Sequence, residues 1–256
     1  MQWGELRWPE MEKLDKSVVV VAPLASVEQH GRHLPLLTDT MLVAEVAARA
    51  QAELGDGALW LPPLWLGSAG HHMDFPGTLS LPVTVYSEVI KSLTRSILKA
   101  GFTRILYLCG HGGNELPTSQ ALAELASESE EANAALLAVT CYWTLAGAAL
   151  DPGRHGMKQA ALTHACEYET SMMLVTRPDL VAMDQAAAPP AAIDTRWWSS
   201  ETGGPVNVFK RFRRLTDTGA MGHPAEATAE KGESLLAAIT AEVVRFLRDF
   251  AAWPLL

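Results

Sequence analysis

The run SVVVVA at residues 17–22 constrains the fold more than any other stretch of the chain. A continuous apolar, β-branched segment without polar alternation belongs in a strand covered on both faces, as in the centre of a parallel sheet. Residues 40–54, TMLVAEVAARAQAEL, carry alanine, leucine and glutamate at helical spacing and stop at Gly55. Strand followed by helix then recurs. LWLPPLWL (59–66) reads as extended but broken by prolines, and residues 86–100 as an amphipathic helix closed by Gly101. RILYLC (104–109) is a third strand, followed by GHGGN and a helix over 117–127, and ALLAVTCYW (135–143) is a fourth. Further on, a helix is expected from about His164 to Thr176, an irregular Ala- and Pro-rich excursion from 186 that takes in Trp197 and Trp198, a strand in NVFKRF, and a long helix over 225–252. This alternation predicts a three-layer α/β/α fold with a mainly parallel sheet. No linker divides the 256 residues, so a single domain over 1–256 is expected.

Charge and motif content narrow the function. A formal net charge of -9 argues against a nucleic-acid or anionic-membrane surface, and the one basic run, KRFRR at 210–214, reads as a solvated strand edge. Cys109, Cys141 and Cys166 are too few and too scattered for a disulfide framework or a thiolate zinc site. The opening residues do not form a signal peptide and no apolar stretch has the length of a membrane span, so a cytoplasmic protein is expected. No G-x-S-x-G elbow, dinucleotide fingerprint or Walker sequence occurs, and Cys109 at a strand end reads as a packed thiol.

In open α/β sheets ligands bind beyond the carboxyl ends of the strands, which directs attention to two loops. SVEQHGRHLPLLTD (26–39) places Glu28, His30, His33 and Asp39 after the first strand, and GHGGN (110–114) places His111 after the third. Parallel strands bring both loops to one edge. Mixed imidazole and carboxylate donors suit zinc, manganese or iron, and an aspartate can bridge two ions through its two oxygens. Taken singly, Asp39 is a helix N-cap and GHGGN a tight turn; their joint occurrence at strand ends shifts the balance toward metal. Gly112 and Gly113 let the backbone approach a metal or substrate closely. In THACEYETSMM, His164 and Glu167 stand three apart and would share a helix face, while Glu169 lies on another and is read as structural; acids in a first helical turn also serve the macrodipole. In GSAGHHMDF the adjacent His71 and His72 point to different sides, so one of them, His72, is placed at the substrate side.

SVEQHGRHLPLLTD, GHGGN, HACEYETS and TGAMGHPAEATAEKG together resemble the creatininase family, in chain order from about Val18 to Lys231. The resemblance implies a dinuclear centre that hydrolyses amide C–N bonds of small molecules such as cyclic amides, formamides or short peptides. It implies two divalent ions per chain, with Glu28 and His111 on one, His30 on the other and Asp39 bridging. Creatininase proper carries a glutamate two residues after the GHGGN-type histidine as a ligand to the second ion; Gly113 stands there in this chain, so Glu167 is expected to complete that set. His164 resembles the family's catalytic histidine and Trp143 its substrate-packing tryptophan. Homo-oligomers, often hexamers, are implied as well, with Trp197 and Trp198 at an interface or in a lid. Two other readings stay open: a non-catalytic module binding a small anion at the GHGGN turn, and an inactive paralogue that keeps the metal.

Overall fold

The computed structural model describes residues 1–255. Its sheet has four strands, β1 (Val19–Leu24), β2 (Ala58–Trp60), β3 (Arg104–Cys109) and β4 (Leu136–Cys141), all parallel in the order β2-β1-β3-β4. β1 is wholly buried because helices cover both faces, which is why its sequence shows no polar alternation. Pro62 and Pro63 follow β2 and cut the second strand to three residues.

Successive β1 side chains supply two separate cores. Val19 and Val21, with Leu106 and Leu108 of β3, pack under α1 (Thr38–Leu54), α4 (Glu167–Thr176) and α5 (Ala229–Ala251). Val20, Ala22 and Leu24, with Ile105 and Tyr107, pack under α2 (Val83–Lys99) and α3 (Glu115–Glu128). The three-layer arrangement expected from the sequence is therefore what the chain adopts. α1, α2 and α3 begin two or three residues earlier than their periodicity predicts.

Three expectations are corrected. NVFKRF forms no strand: residues 207–211 are irregular and Phe212–Arg214 make a single 3-10 turn. Its aromatic Phe212 is drawn over the loops at the sheet's carboxyl edge, while Arg211 turns outward to Asp74 at 2.8 Å, so tertiary contacts replace a ladder. β4 stops at Cys141, and Trp143 lies in the short helix Tyr142–Ala146. α4 starts at Glu167, leaving His164 in the preceding loop.

Three loops meet where the strands end. Gly110 N–H donates to Leu24 O at 2.7 Å, and the Asn114 side chain donates to Ala25 O while accepting from Ser68 N–H, each at 2.9 Å. Asn114, fully buried, thereby locks the GHGGN turn to the segments that follow β1 and β2.

Candidate metal centre

The loop after β1 carries Glu28 and His30, the first turn of α1 carries Asp39, and the loop after β3 carries His111; all four are buried. They converge although 83 positions separate the ends of the set, as strand-end placement predicts. Asp39 does not act as an N-cap. It lies inside α1, its Oδ2 accepting from Ser26 Oγ at 2.8 Å.

Backbone carbonyls fix the tautomers of the two ligand-type histidines. His30 Nδ1 donates to Glu28 O at 3.2 Å, leaving Nε2 to face Asp39 Oδ1 at 3.0 Å and Glu169 Oε1 at 3.9 Å. His111 Nε2 donates to Ser68 O at 3.2 Å, leaving Nδ1 to face Glu28 Oε2 at 3.1 Å and Asp39 Oδ2 at 3.2 Å. An imidazole whose far nitrogen is tied to a carbonyl presents its other lone pair to whatever the site holds. His30 Nε2 and Glu28 Oε2 are buried without a hydrogen-bond partner despite these short distances, so the donors aim at shared points between them rather than at one another. Buried polar atoms are seldom left unmatched, and a cation at those points would satisfy them. Glu28, His71 and His111, and separately His30, Asp39 and Glu169, each offer ligand atoms within 4.8 Å of one another, as do Glu28, His30 and His164.

The electrostatics match a site made for positive charge. Burial alone would depress His30, yet Asp39, Glu169 and Glu28 outweigh it and push the imidazole up to about 10. Burial, with Asp39 and Glu28 nearby, pushes Glu169 up to about 7. Burial drives His164 and His72 well below the usual imidazole range, so both are neutral.

A cavity of about 270 Å³ opens on this centre. His72, Trp143, Gly112, Gly113 and His164, all named above as site candidates, line it, and so do His71 and Glu169. His164 Nε2 donates to Gln29 O at 2.7 Å, which turns Nδ1 toward Glu28 Oε1 at 3.5 Å. With His164 a donor there, Gln29 Nε2 is left to donate to His72 Nδ1 at 2.9 Å and Gly219 O at 3.1 Å. His72 Nε2–H then faces Glu28 Oε1 at 3.3 Å and orients that carboxylate. His33, without an expected role, braces the loop through Thr170 at 2.9 Å.

Glu167 is the residue the structure moves out of the site. Its carboxylate accepts from the N–H groups of Lys158 and Gln159, at 2.9 and 2.8 Å, and from Lys231 Nζ at 2.6 Å. Because α4 begins only at Glu167, and Ala165 before it takes a left-handed φ of 49°, His164 and Glu167 share no helix face. Two positions further round the helix, Glu169 points inward: one oxygen accepts from Ala165 N–H and the other faces His30. Glu167, expected at the metal, is thus held away from the centre, and Glu169, expected to be structural, is the carboxylate that faces it. Gly113 has no room for a glutamate, since even a Cβ would overlap His111 Nε2 and Ser68 O. His71 also corrects the expectation that only one of the paired histidines faces the centre, because the 3-10 turn Gly70–His72 presents both rings. Phe212, whose ring lies 3.9 Å from His72 and 4.7 Å from His164 between centroids, had no signal in a segment read as a basic edge.

Parallel strands whose ends gather imidazoles and carboxylates under a small cavity define an α/β protein with a candidate metal centre. The chain belongs to the creatininase family: the creatininase (creatinine amidohydrolase) family model matches residues 4–247. It is 33% identical over 227 residues to the mycofactocin precursor peptide peptidase of Mycolicibacterium smegmatis, covering 86% of this chain and 80% of that one. A creatininase mutant solved in complex with creatine has a TM-score of 0.80 at 26% identity, covering 98% of this chain and 99% of the other. A creatininase mutant described as the Zn-Zn type has a TM-score of 0.79 at 26% identity, with 97% of each chain covered.

Proposed function

We propose that the protein hydrolyses an amide C–N bond of a small molecule or short peptide at a centre holding two divalent ions per chain. The observation that carries this is the convergence of His30 Nε2, His111 Nδ1 and the oxygens of Glu28 and Asp39 on shared points, with the far nitrogens committed to carbonyls. Asp39 would contribute to both sides of such a centre, because its Oδ1 lies beside His30 Nε2 and its Oδ2 beside His111 Nδ1. Glu28 would hold an ion together with His111, and Glu169 one together with His30. Zinc, manganese and iron all accept this donor set. Ions of this kind, when bound, supply Lewis acidity that acidifies water toward neutrality and polarises a carbonyl.

The chain's own residues do the rest. His164 holds an open lone pair on Nδ1 at the cavity wall while its Nε2–H is anchored on Gln29 O, so it can take up a proton there and pass it to the leaving nitrogen. His72 keeps Glu28 turned toward His111 through Nε2–H. Trp143 and Phe212 wall the cavity and limit water. Gly112 leaves space for the substrate between His111 and Trp143, where an added Cβ would meet only Trp143 Cζ2, at 3.9 Å. The similarity to a peptide peptidase and to a creatine-bound creatininase supports an amide as the substrate class.

Metal analysis of protein purified without chelator should give about two divalent ions per chain, and a panel of cyclic amides, formamides and short peptides should contain a substrate. Absence of bound metal would overturn the reading. Full metal occupancy with no turnover of any amide would leave the inactive-paralogue alternative.

A further inference from the structure

A second chamber, of about 800 Å³, joins the metal-centre cavity, and the two share His71, Gly112, Gly113, Thr163, Phe212 and Met221 as lining. Its outer walls are mostly apolar: Val83, Leu116, Trp198, Val208, Phe209 and Leu215. Lys210 and Arg211 also line it, with Arg211 paired to Asp74 at 2.8 Å, and no aspartate or glutamate does. Leu116 is 68% exposed and Phe209 81% exposed, so the chain leaves large apolar side chains facing this opening. Contiguous apolar surface in a cleft signals an apolar occupant.

The geometry points to a substrate that carries a bulky apolar arm beside the scissile amide, seated in this chamber while the amide lies at the metal centre. This rests on the reading of the site given above and adds the class of group that flanks the amide. Continuity decides the occupant. Gly112 and Gly113 belong to the turn that carries His111 and line both spaces, so a group in the chamber is continuous with one at the centre. A compact polar ring fills only the inner cavity of about 270 Å³ and leaves the apolar walls in water. Phe212 sits at the junction, its ring against His72 and His164, and fixes where the arm leaves the centre.

The test uses the metal-loaded protein and matched hydroxamates of glycine, leucine and phenylalanine, whose chelating head seats at the metal and whose side chain enters the chamber. Calorimetric titration should give affinity rising from glycine to phenylalanine by on the order of 10- to 100-fold. Leu116→Gln and Phe209→Ser, both at exposed positions and so tolerated by the fold, should shrink that ratio toward one while metal content stays constant. Equal affinities for the three compounds, or an unchanged ratio in both variants, would overturn this inference and leave the hydrolase reading standing. Failure of every hydroxamate to bind would overturn the metal reading and this inference with it.

Discussion

Glu167 and Glu169 stand two positions apart at the start of one helix, and their surroundings give them opposite consequences when altered. Glu169 meets His30 across the centre, whereas Glu167 ties Lys231 to the loop at 158–159. Glu169→Gln should reduce metal content from about two ions to about one per chain, with the melting profile of the metal-free protein little changed. Glu167→Gln should keep both ions but lower stability by about 2–3 kcal/mol, because it strands Lys231 beside a buried neutral group. Metal analysis with denaturant unfolding separates the two, and metal loss in Glu167→Gln alone would reverse the assignment.

Metal uptake must also compete with protons. In the metal-free site His30 is held up at about 10 and Glu169 at about 7, so at neutral pH these donors carry protons that binding releases. Apparent metal affinity should therefore rise with pH, by roughly tenfold or more per unit between pH 6 and 8. For the empty protein the sign is opposite: a raised folded-state pKa contributes stability that is present at low pH and lost as pH climbs toward 10. Competition titrations at several pH values check the first statement. Much of this chemistry is legible in the sequence: Glu28, His30, Asp39 and His111 stand out because ionisable residues crowd two strand-end loops. Glu169 is not legible, since choosing it over Glu167 requires knowing where α4 begins and that Ala165 turns the chain.

At the scale of elements, the strands read best where burial leaves no alternative. β3 is predicted to the residue, and β1 only slides by two, because both are flanked by sharp turn signals and covered on both faces. The segment 207–214 misleads because its alternating apolar and basic residues fit a half-buried strand equally well, and only the site's open mouth decides where Phe212 goes. α5 shows how a helix far along the chain supports the centre. It crosses α4 at Gly232, where even a Cβ would overlap the Ser171 carbonyl, and Lys231 beside it reaches Glu167. Gly232→Ala should force α5 away from α4 and cost about 1–3 kcal/mol in denaturant unfolding. Because Glu169 rides on α4, the variant should also weaken metal retention; wild-type stability together with wild-type metal content would show that the helices do not meet as closely as described.

Across the whole molecule the two apolar cores lie on either side of the sheet, while the charged centre sits beyond its carboxyl edge and draws on segments remote from one another in sequence. The fold therefore does not depend on the metal for its core, as a zinc finger does, yet the metal should link elements that the cores hold separately. The loop after β1 offers Glu28 and His30 to the centre, the first turn of α1 Asp39, the loop after β3 His111, and α4 Glu169. A ligand that binds only the folded state adds about 2.7 kcal/mol when present at a hundred times its dissociation constant. For a chain of this size each kcal/mol moves the melting temperature by about 2–4 °C. Chelator treatment should thus lower the melting temperature by roughly 5–10 °C without unfolding the protein at room temperature, because proton uptake by His30 and its neighbours offsets part of the carboxylate repulsion left behind. Far-ultraviolet circular dichroism during chelation, followed by zinc or manganese addition, measures both halves of this expectation. Loss of secondary structure on chelation would mean that the metal organises the sheet itself, and an unchanged melting temperature would mean that no ion spans these elements.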